Sequence, residues 1–388
     1  MKFLVFGAGA VGSILGARLA RCGHWVTLVG RPIAVETICK QGLSVDMPDG
    51  TTWTTRRIRA VDSLAEAAQG ADVYAPSYDA ILLCVKAYDV GGVVADLQAA
   101  QADTLSTQGT RLVCFQNGVG SEERVAVAFG ASRIVAATFT SPVTMAAPGR
   151  VRLERAGGGI GLAPLAAAGP PDALERRSIP EPGRIAPDPF TQLCDTLRET
   201  LIPIRCYADY RAMKWSKMLL NIVANASGAI LNWTPRQVYA DRRTFGLELD
   251  MLRETLGVMR AANIPVVNLP GAPAAAFGRL VQFAPSRLLQ PLLAQQVARG
   301  RGDKRPSFHG DVPVVDGRQS GRGGRCEIAH LNGEIARQAR ALGVAAPVNE
   351  RLTDILTALV EGRARPDEWQ DRPDQLVEAC RAGSEPGT

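Results

Sequence analysis

Histidine is nearly missing from this chain. His24, His309 and His330 are the only three, and they are far apart in sequence. No two cysteines stand in a C-x-x-C spacing either, so the sequence offers no metal constellation and no metal is expected. The eight cysteines (Cys22, Cys39, Cys84, Cys114, Cys194, Cys206, Cys326 and Cys380) make no disulfide framework. Several fall in apolar stretches that read as strands, which points to reduced, mostly buried thiols in a cytoplasmic protein. No charged-then-apolar leader opens the sequence. The first apolar run is interrupted by glycines and is too short to cross a bilayer, so no membrane partner is expected. Lysine is also scarce. Of 44 basic residues only Lys2, Lys40, Lys86, Lys214, Lys217 and Lys304 are not arginine. Where arginine is the default cation, a lysine is less easily dismissed as filler. A long block of one charge is missing too. The net charge of +6 and pI near 9.0 are spread along the chain, which suits an anionic small molecule at least as well as a nucleic acid. The Gly/Arg mixture at 299–325 holds one aromatic, Phe308; it reads as a flexible loop, and no nucleic-acid partner is expected.

At 388 residues, 46% of them hydrophobic and 21% charged, the chain is long enough for two domains with separate cores. The first announces itself at once. Lys2-Phe3-Leu4-Val5-Phe6 reads as a buried strand and Gly7-Ala8-Gly9-Ala10-Val11-Gly12 as a tight turn. A helix with Val11, Ile14, Leu15 and Leu19 on one face follows, then a second strand, Trp25-Val26-Thr27-Leu28-Val29. Strand, G-x-G-x-x-G, helix and strand together form the dinucleotide fingerprint: one glycine makes the turn, one admits the pyrophosphate and one lets helix and strand pack. The helix N-terminus then faces the phosphates. The second strand ends Val29-Gly30-Arg31, where an NAD-selective site would carry an acid. Arg31 can pair with a 2′-phosphate, so NADP(H) is the expected cofactor; the competing reading is a solvated surface charge.

Further strands are expected at 80–85, 112–115, 133–139 and 202–206, with a Gly-rich strand or hairpin at 151–162 closing the sheet. The first of these runs into Lys86 and the second into Gln116-Asn117-Gly118-Val119-Gly120. Ligands of open α/β sheets bind at the carboxyl ends of strands, which puts Lys86 and Asn117 on the cofactor side. The 163–189 stretch, rich in Ala, Pro and Gly, reads as an insertion loop. The expected fold class is therefore α/β, with an N-terminal Rossmann dinucleotide-binding domain over 1–208. An all-helical C-terminal domain follows over 209–363, its helices at 209–230, 234–262, 272–298, 326–342 and 348–361, and a loose tail over 364–388.

The first of those helices carries the chemistry. Lys217, Asn221 and Asn225 stand at i, i+4 and i+8 and share one stripe, drifting about 40° per step. Trp215, Met218, Leu219, Leu220, Ile222 and Val223 surround them. So apolar a helix is buried, and buried polar groups need partners; a small substrate would supply them. The competing reading has Lys217 snorkelling to solvent.

Taken together, these residues make the chain resemble the ketopantoate reductase (2-dehydropantoate 2-reductase) family over nearly its whole length. The resemblance rests on Gly7, Gly9 and Gly12, on Arg31, on Val85-Lys86-Ala87, and on the loop from Gln116 to Gly120. It also rests on the pattern Trp215, Lys217, Asn221 and Asn225, on Pro306-Ser307 with Asp311, and on Glu327 with Asn332-Gly333. It implies an NADPH-dependent reduction of 2-dehydropantoate to (R)-pantoate in pantothenate biosynthesis. It further implies that Lys217 is the general acid and touches substrate, that Glu327 supports the lysine and the substrate and lies on the cofactor side, that Asn117 lies by the nicotinamide and the substrate, and that Asn221, Asn225 and Ser307 hold substrate. Phe308 replaces the family's usual Met, and the spacing of twenty positions from Ser307 to Glu327 exceeds its usual one, which bears on substrate identity more than on reaction type. Glu327 also reads simply as an acid favoured at a helix start. Two other functions fit the same residues: reduction of a different 2-keto acid, and a non-catalytic NADPH sensor. The expected partner is a small 2-keto acid, and the helical half offers surface for a homodimer.

Overall fold

The computed structural model describes residues 1–69, 77–99, 106–166, 188–300, 306–312 and 324–382. Most of the 163–189 loop and of the 299–325 segment lies outside them. The chain divides into two compact units. The first comprises Met1–Gln116, Gly120–Lys214 and Leu269–Ala272; the second comprises Asn117–Val119, Trp215–Asn268 and Pro273–Thr388.

The first unit is built on an eight-stranded sheet. Its strands are β1 (Lys2–Phe6), β2 (Trp25–Val29), β5 (Arg59–Val61), β6 (Tyr78–Leu83), β7 (Ser106–Cys114), β8 (Ile134–Phe139), β11 (Ile160–Pro164) and β12 (Ile204–Cys206). The order across the sheet is β12-β11-β8-β7-β6-β1-β2-β5, parallel throughout except for the antiparallel β11–β8 pair. Side chains alternate between its two faces, as the period of two requires. Phe3, Val5, Leu28, Leu82 and Val113 enter one core with Ile14, Leu15 and Leu19 of helix α1 (Ala10–Arg21). Leu4, Val29, Ile81, Leu83 and Leu112 enter another, which also holds residues of α3 (Leu64–Gln69), α4 (Val90–Ala99) and α5 (Ser121–Phe129). A sheet covered on both faces explains why Phe3–Phe6 in β1 and Ala80–Leu83 in β6 are continuous apolar runs. Helices α2 (Pro32–Gln41) and α6 (Pro189–Glu199) complete the layers. The strand or hairpin expected at 151–162 to close the sheet is divided between two sheets. β10 (Arg150–Leu153) joins β3 (Leu43–Asp46), β4 (Thr52–Thr55) and β9 (Val143–Ala147) in a separate four-stranded sheet, and only β11 enters the main one. Asp46 draws β10 there, accepting from Arg150 Nε and Nη2 at 2.9–3.0 Å.

The second unit is helical among its described residues, but its helices are more broken than the periodicity suggests. The expected helix 209–230 ends early as α7 (Tyr210–Asn221) and resumes as α8 (Ala226–Leu231). Between them Ala224 takes φ of 49°, which costs a non-glycine residue energy. Glu248, almost fully buried, holds the break: it accepts from Ala224 N at 2.7 Å and from Ser227 Oγ at 2.6 Å. The expected 234–262 helix divides into α9 (Pro235–Ala240) and α10 (Arg242–Ala261). Asp241 turns extended between them and caps the amides of Arg243 and Thr244. The 272–298 helix divides at Pro285 into α11 (Ala274–Phe283) and α12 (Ser286–Gly300), since the residue before a proline is pushed out of the helical region. Helices α13 (Asn332–Leu342) and α14 (Pro347–Val360) follow. The expected loose tail is not loose where it is described. Residues Pro373–Arg381 form α15, and its Leu376, Val377 and Cys380 are buried in the unit's core.

Candidate active site

In the first unit three chain segments leave neighbouring strands at their carboxyl ends. The turn after β1 needs its glycines for different reasons. Gly7 has φ of 117°, and a Cβ there would stand 2.9 Å from the Cys84 carbonyl carbon. A Cβ on Gly12 would lie 2.0 Å from Gly7 O. Gly9 is exposed, and a Cβ there would meet nothing within 4 Å. The backbone from Gly7 through Ala8, Gly9, Ala10 and Val11 to Gly12 thus wraps an open space. Helix α1 begins at Ala10 with no side-chain cap and no acid in its first turn, so its leading amides are left for an anion. These features fit a dinucleotide pyrophosphate. A Cβ on Gly30 would come within 2.5 Å of Ala8 Cβ, so this second glycine lets the end of β2 close on the turn. Arg31, exposed, then stands at the N-cap position of α2 without a side-chain cap.

Lys86 follows β6, half-buried, where a short 3-10 turn begins at Ala87. Its position is set by a residue that sequence reading left without a role. The Gln116 side chain donates to Leu83 O at 2.8 Å and to Val85 O at 3.2 Å, satisfying carbonyls at the end of β6. Gln116 is itself held, because its carbonyl accepts from Lys214 Nζ at 2.6 Å. Lys214 also lies 2.7 Å from Glu122, both almost fully buried. Burial pushes the Glu122 carboxyl above its ordinary value, and Lys214 pulls against that. A buried lysine needs such a partner, so a rare Lys in an apolar helix was the available signal.

In the second unit the polar residues split into two pairs. Asn221, one turn beyond Lys217 on α7, donates through Nδ2 to Asn117 Oδ1 at 3.0 Å. The loop that carries Asn117 is pressed against the turn that carries Glu327. Gly118 has φ of 79°, and a Cβ there would be 2.0 Å from His330 O, the last residue of the 3-10 turn Glu327–His330. Glu327 is buried with only 4% exposure, and Lys217 is half-buried. Asn117, Asn221 and the Glu327 turn are therefore neighbours, with Lys217 on the adjoining helical turn.

Asn225 departs from the single stripe. It lies beyond the break, at the start of α8, and its Oδ1 accepts from Ser307 Oγ at 3.0 Å and Phe308 N at 3.3 Å. Gly228 makes room for that segment: a Cβ there would be 2.6 Å from Pro306 Cγ. Phe308, the residue that differs from the family's usual Met, is buried in the core, while Ser307 is exposed. Among the described residues no group of three or more His, Cys, Asp or Glu could hold a metal ion. No helix among them is long and apolar enough to cross a membrane.

The family model described as "Ketopantoate reductase PanE/ApbA" matches residues 3–166, and "Ketopantoate reductase PanE/ApbA C terminal" matches 209–360. A 2-dehydropantoate 2-reductase of Pyrococcus horikoshii is 25% identical over 358 residues, 92% of this chain and 97% of its own. Among solved structures, a PanE/ApbA family ketopantoate reductase from Ralstonia eutropha JMP134 superposes with a TM-score of 0.69 at 24% identity, covering 94% of this chain and 99% of its own. D-mandelate dehydrogenase, solved with NADH and anilino(oxo)acetate, gives a TM-score of 0.69 at 19% identity, covering 93% and 99%. With both family models matched in chain order over more than half its length, this chain belongs to the ketopantoate reductase family, oxidoreductases that act on a CH-OH group and use a nicotinamide cofactor.

Proposed function

We propose that this protein reduces 2-dehydropantoate to (R)-pantoate with NADPH, a step of pantothenate biosynthesis carried out in the cytoplasm. The observation that carries the reading is the convergence of Asn117, Asn221 and the Glu327 turn beside the helical turn of Lys217. Reducing a 2-keto acid requires a hydride at the carbonyl carbon, a proton at its oxygen and a hold on the carboxylate. NADPH supplies the hydride when bound, its pyrophosphate on the turn from Gly7 to Gly12 and its 2′-phosphate at Arg31. Lys86 orients the nicotinamide end. Lys217 stabilises the developing alkoxide and protonates it, a task that suits lysine because arginine scarcely gives up its proton. Glu327, buried, carries the compensating charge and orients the ammonium group. Asn117 and Asn221 orient each other through their 3.0 Å bond and keep further donors for the substrate's polar groups. Ser307 offers its exposed hydroxyl to the carboxylate, and Asn225 sets its position.

A second reading, reduction of a different 2-keto acid, is favoured by buried Phe308 directly after Ser307, because a changed core residue reshapes the segment that presents the serine. Purified protein is assayed with NADPH against 2-dehydropantoate and a panel of 2-keto acids, following the loss of nicotinamide absorbance. Fastest turnover of 2-dehydropantoate is expected. Turnover of another acid but not this one selects the second reading, and tight NADPH binding with no turnover at all selects a sensor.

A further inference from the structure

Two of the eight cysteines, both in the first unit, sit against each other. Cys194 lies on α6 and Cys206 is the last residue of β12, and their Sγ atoms are 3.2 Å apart. A disulfide is about 2.05 Å long, so roughly 1.1 Å of approach separates contact from bond. The connection between them is short and held in place. Thr200 Oγ1 donates to Leu197 O at 2.6 Å, and Ile202 N donates to Thr200 Oγ1 at 3.4 Å, fixing the turn from helix to strand.

The two sulfurs are not equivalent. Cys194 is buried, whereas Cys206 is half-buried and reached from solvent. Arg198 Nη2 lies 4.0 Å from Cys206 Sγ. The hydrogen bond from Cys194 draws the Cys206 thiol below its ordinary value, against its burial and with help from Arg198; Asp195 opposes. The same contact, with burial, pushes Cys194 up. Cys206, the sulfur open to solvent and beside Arg198, is therefore the one a reactant from solution reaches first. Elsewhere burial works against a thiolate: it pushes Cys326 and Cys380 up to about 12 and raises Cys84 and Cys114.

We propose that Cys194 and Cys206 form a dithiol site that hydrogen peroxide converts to a disulfide and a thiol reductant restores, with Cys206 attacking and Cys194 resolving. The Cys206 thiolate attacks one peroxide oxygen and the O–O bond breaks. Cys206 becomes a sulfenic acid, and the departing hydroxide takes up a proton to become water. The Cys194 sulfur then attacks the Cys206 sulfur, the S–O bond breaks, and the departing hydroxide takes the Cys194 proton as a second water. Two thiols are oxidised by two electrons, one peroxide is reduced, and α6 becomes covalently tied to β12.

The test uses the full chain, reduced and then freed of reductant. It is titrated with hydrogen peroxide, alkylated and digested with trypsin. Cleavage after Arg198 and Arg205 leaves the two cysteines on different peptides. A peptide pair joined through Cys194 and Cys206 is expected at doses that leave the exposed Cys22 and Cys39 alkylated, and dithiothreitol should separate it. In Cys194→Ser, Cys206 should accumulate as a sulfenic acid that dimedone traps. Cys194 and Cys206 both staying alkylatable while another thiol is consumed overturns the proposal. Sulfinic acid on wild-type Cys206 without a linked peptide overturns it too. The wild-type digest decides without any variant having to fold.

Discussion

A lysine that hands over a proton is tested by its removal. Lys217→Ala takes away the acid while leaving the glycine turn of the other unit untouched. Loss of a positioned general acid costs about 10²- to 10⁴-fold in rate. Stopped-flow or steady-state turnover is expected to fall by that much, with NADPH affinity from fluorescence titration little changed; an unchanged kcat would refute the role given to Lys217. Arg31 belongs to the same scale. A hydrogen bond between charged groups contributes about 1.5–3 kcal/mol, so Arg31→Ala is expected to weaken NADPH by about ten- to a hundredfold and leave NADH nearly unaffected. Equal use of both cofactors by the unaltered protein would defeat the assignment. Gly12, Arg31 and Lys217 could be singled out from local sequence, Gly12 by its motif, Arg31 by standing where an NAD-selective site carries an acid, and Lys217 as a lysine in an apolar helix. Gln116 and Glu122 could not, and Lys214 offered only its rarity. Their meaning is a set of contacts between residues up to 98 positions apart, and no local pattern encodes it.

At the scale of the element, caps and breaks matter most. Asp241 caps α10 through the amides of Arg243 and Thr244 and pairs with Arg243 at 2.7 Å. Hydrogen bonds from Arg243, with the backbone amides, hold its carboxyl below the usual aspartate value. The folded state therefore keeps this charge to lower pH than the unfolded chain does. Its contribution is present above about pH 4 and is lost as pH falls through the folded-state value. Asn keeps the capping oxygen and drops the charge. Asp241→Asn is therefore expected to be less stable at pH 7, by about 0.5 kcal/mol, with the gap narrowing in urea unfolding as pH falls below about 4. A gap that widens on acidification would contradict the assignment. Glu248 acts on the break between α7 and α8. Glu248→Ala strands the Ala224 amide and the Ser227 hydroxyl in the core, and a loss of about 3 kcal/mol is expected from chemical denaturation. A loss below about 1 kcal/mol would mean that the break holds itself. Periodicity alone reads straight through such breaks, because the apolar spacing continues on both sides. The Thr234-Pro235 and Asp241 cap signatures stood in the sequence, and each is satisfied within three residues.

For the whole molecule, the two units have separate cores. The sheet's two apolar clusters draw only on residues of the first unit, and the largest cluster only on residues of the second. Calorimetry is therefore expected to depart from a single two-state transition. NADPH at about a hundred times its Kd is expected to stabilise the unit that holds the glycine turn by about 2.7 kcal/mol, raising that transition in particular. A single transition unmoved by NADPH would count against cofactor binding there.

The sequence by itself determined the dinucleotide fold of the first unit and the helical character of the second. Both follow from short-range periodicity: continuous apolar strands, one glycine turn and amphipathic helices. It also singled out Lys217, because a lysine in an apolar helix is costly wherever that helix packs. Only the tertiary structure decided that Asn225 serves Ser307 across 82 residues, that β10 leaves the main sheet for Asp46, and that 373–381 is core. Each of these depends on a partner distant in sequence, and burial energy is realised only when that partner arrives.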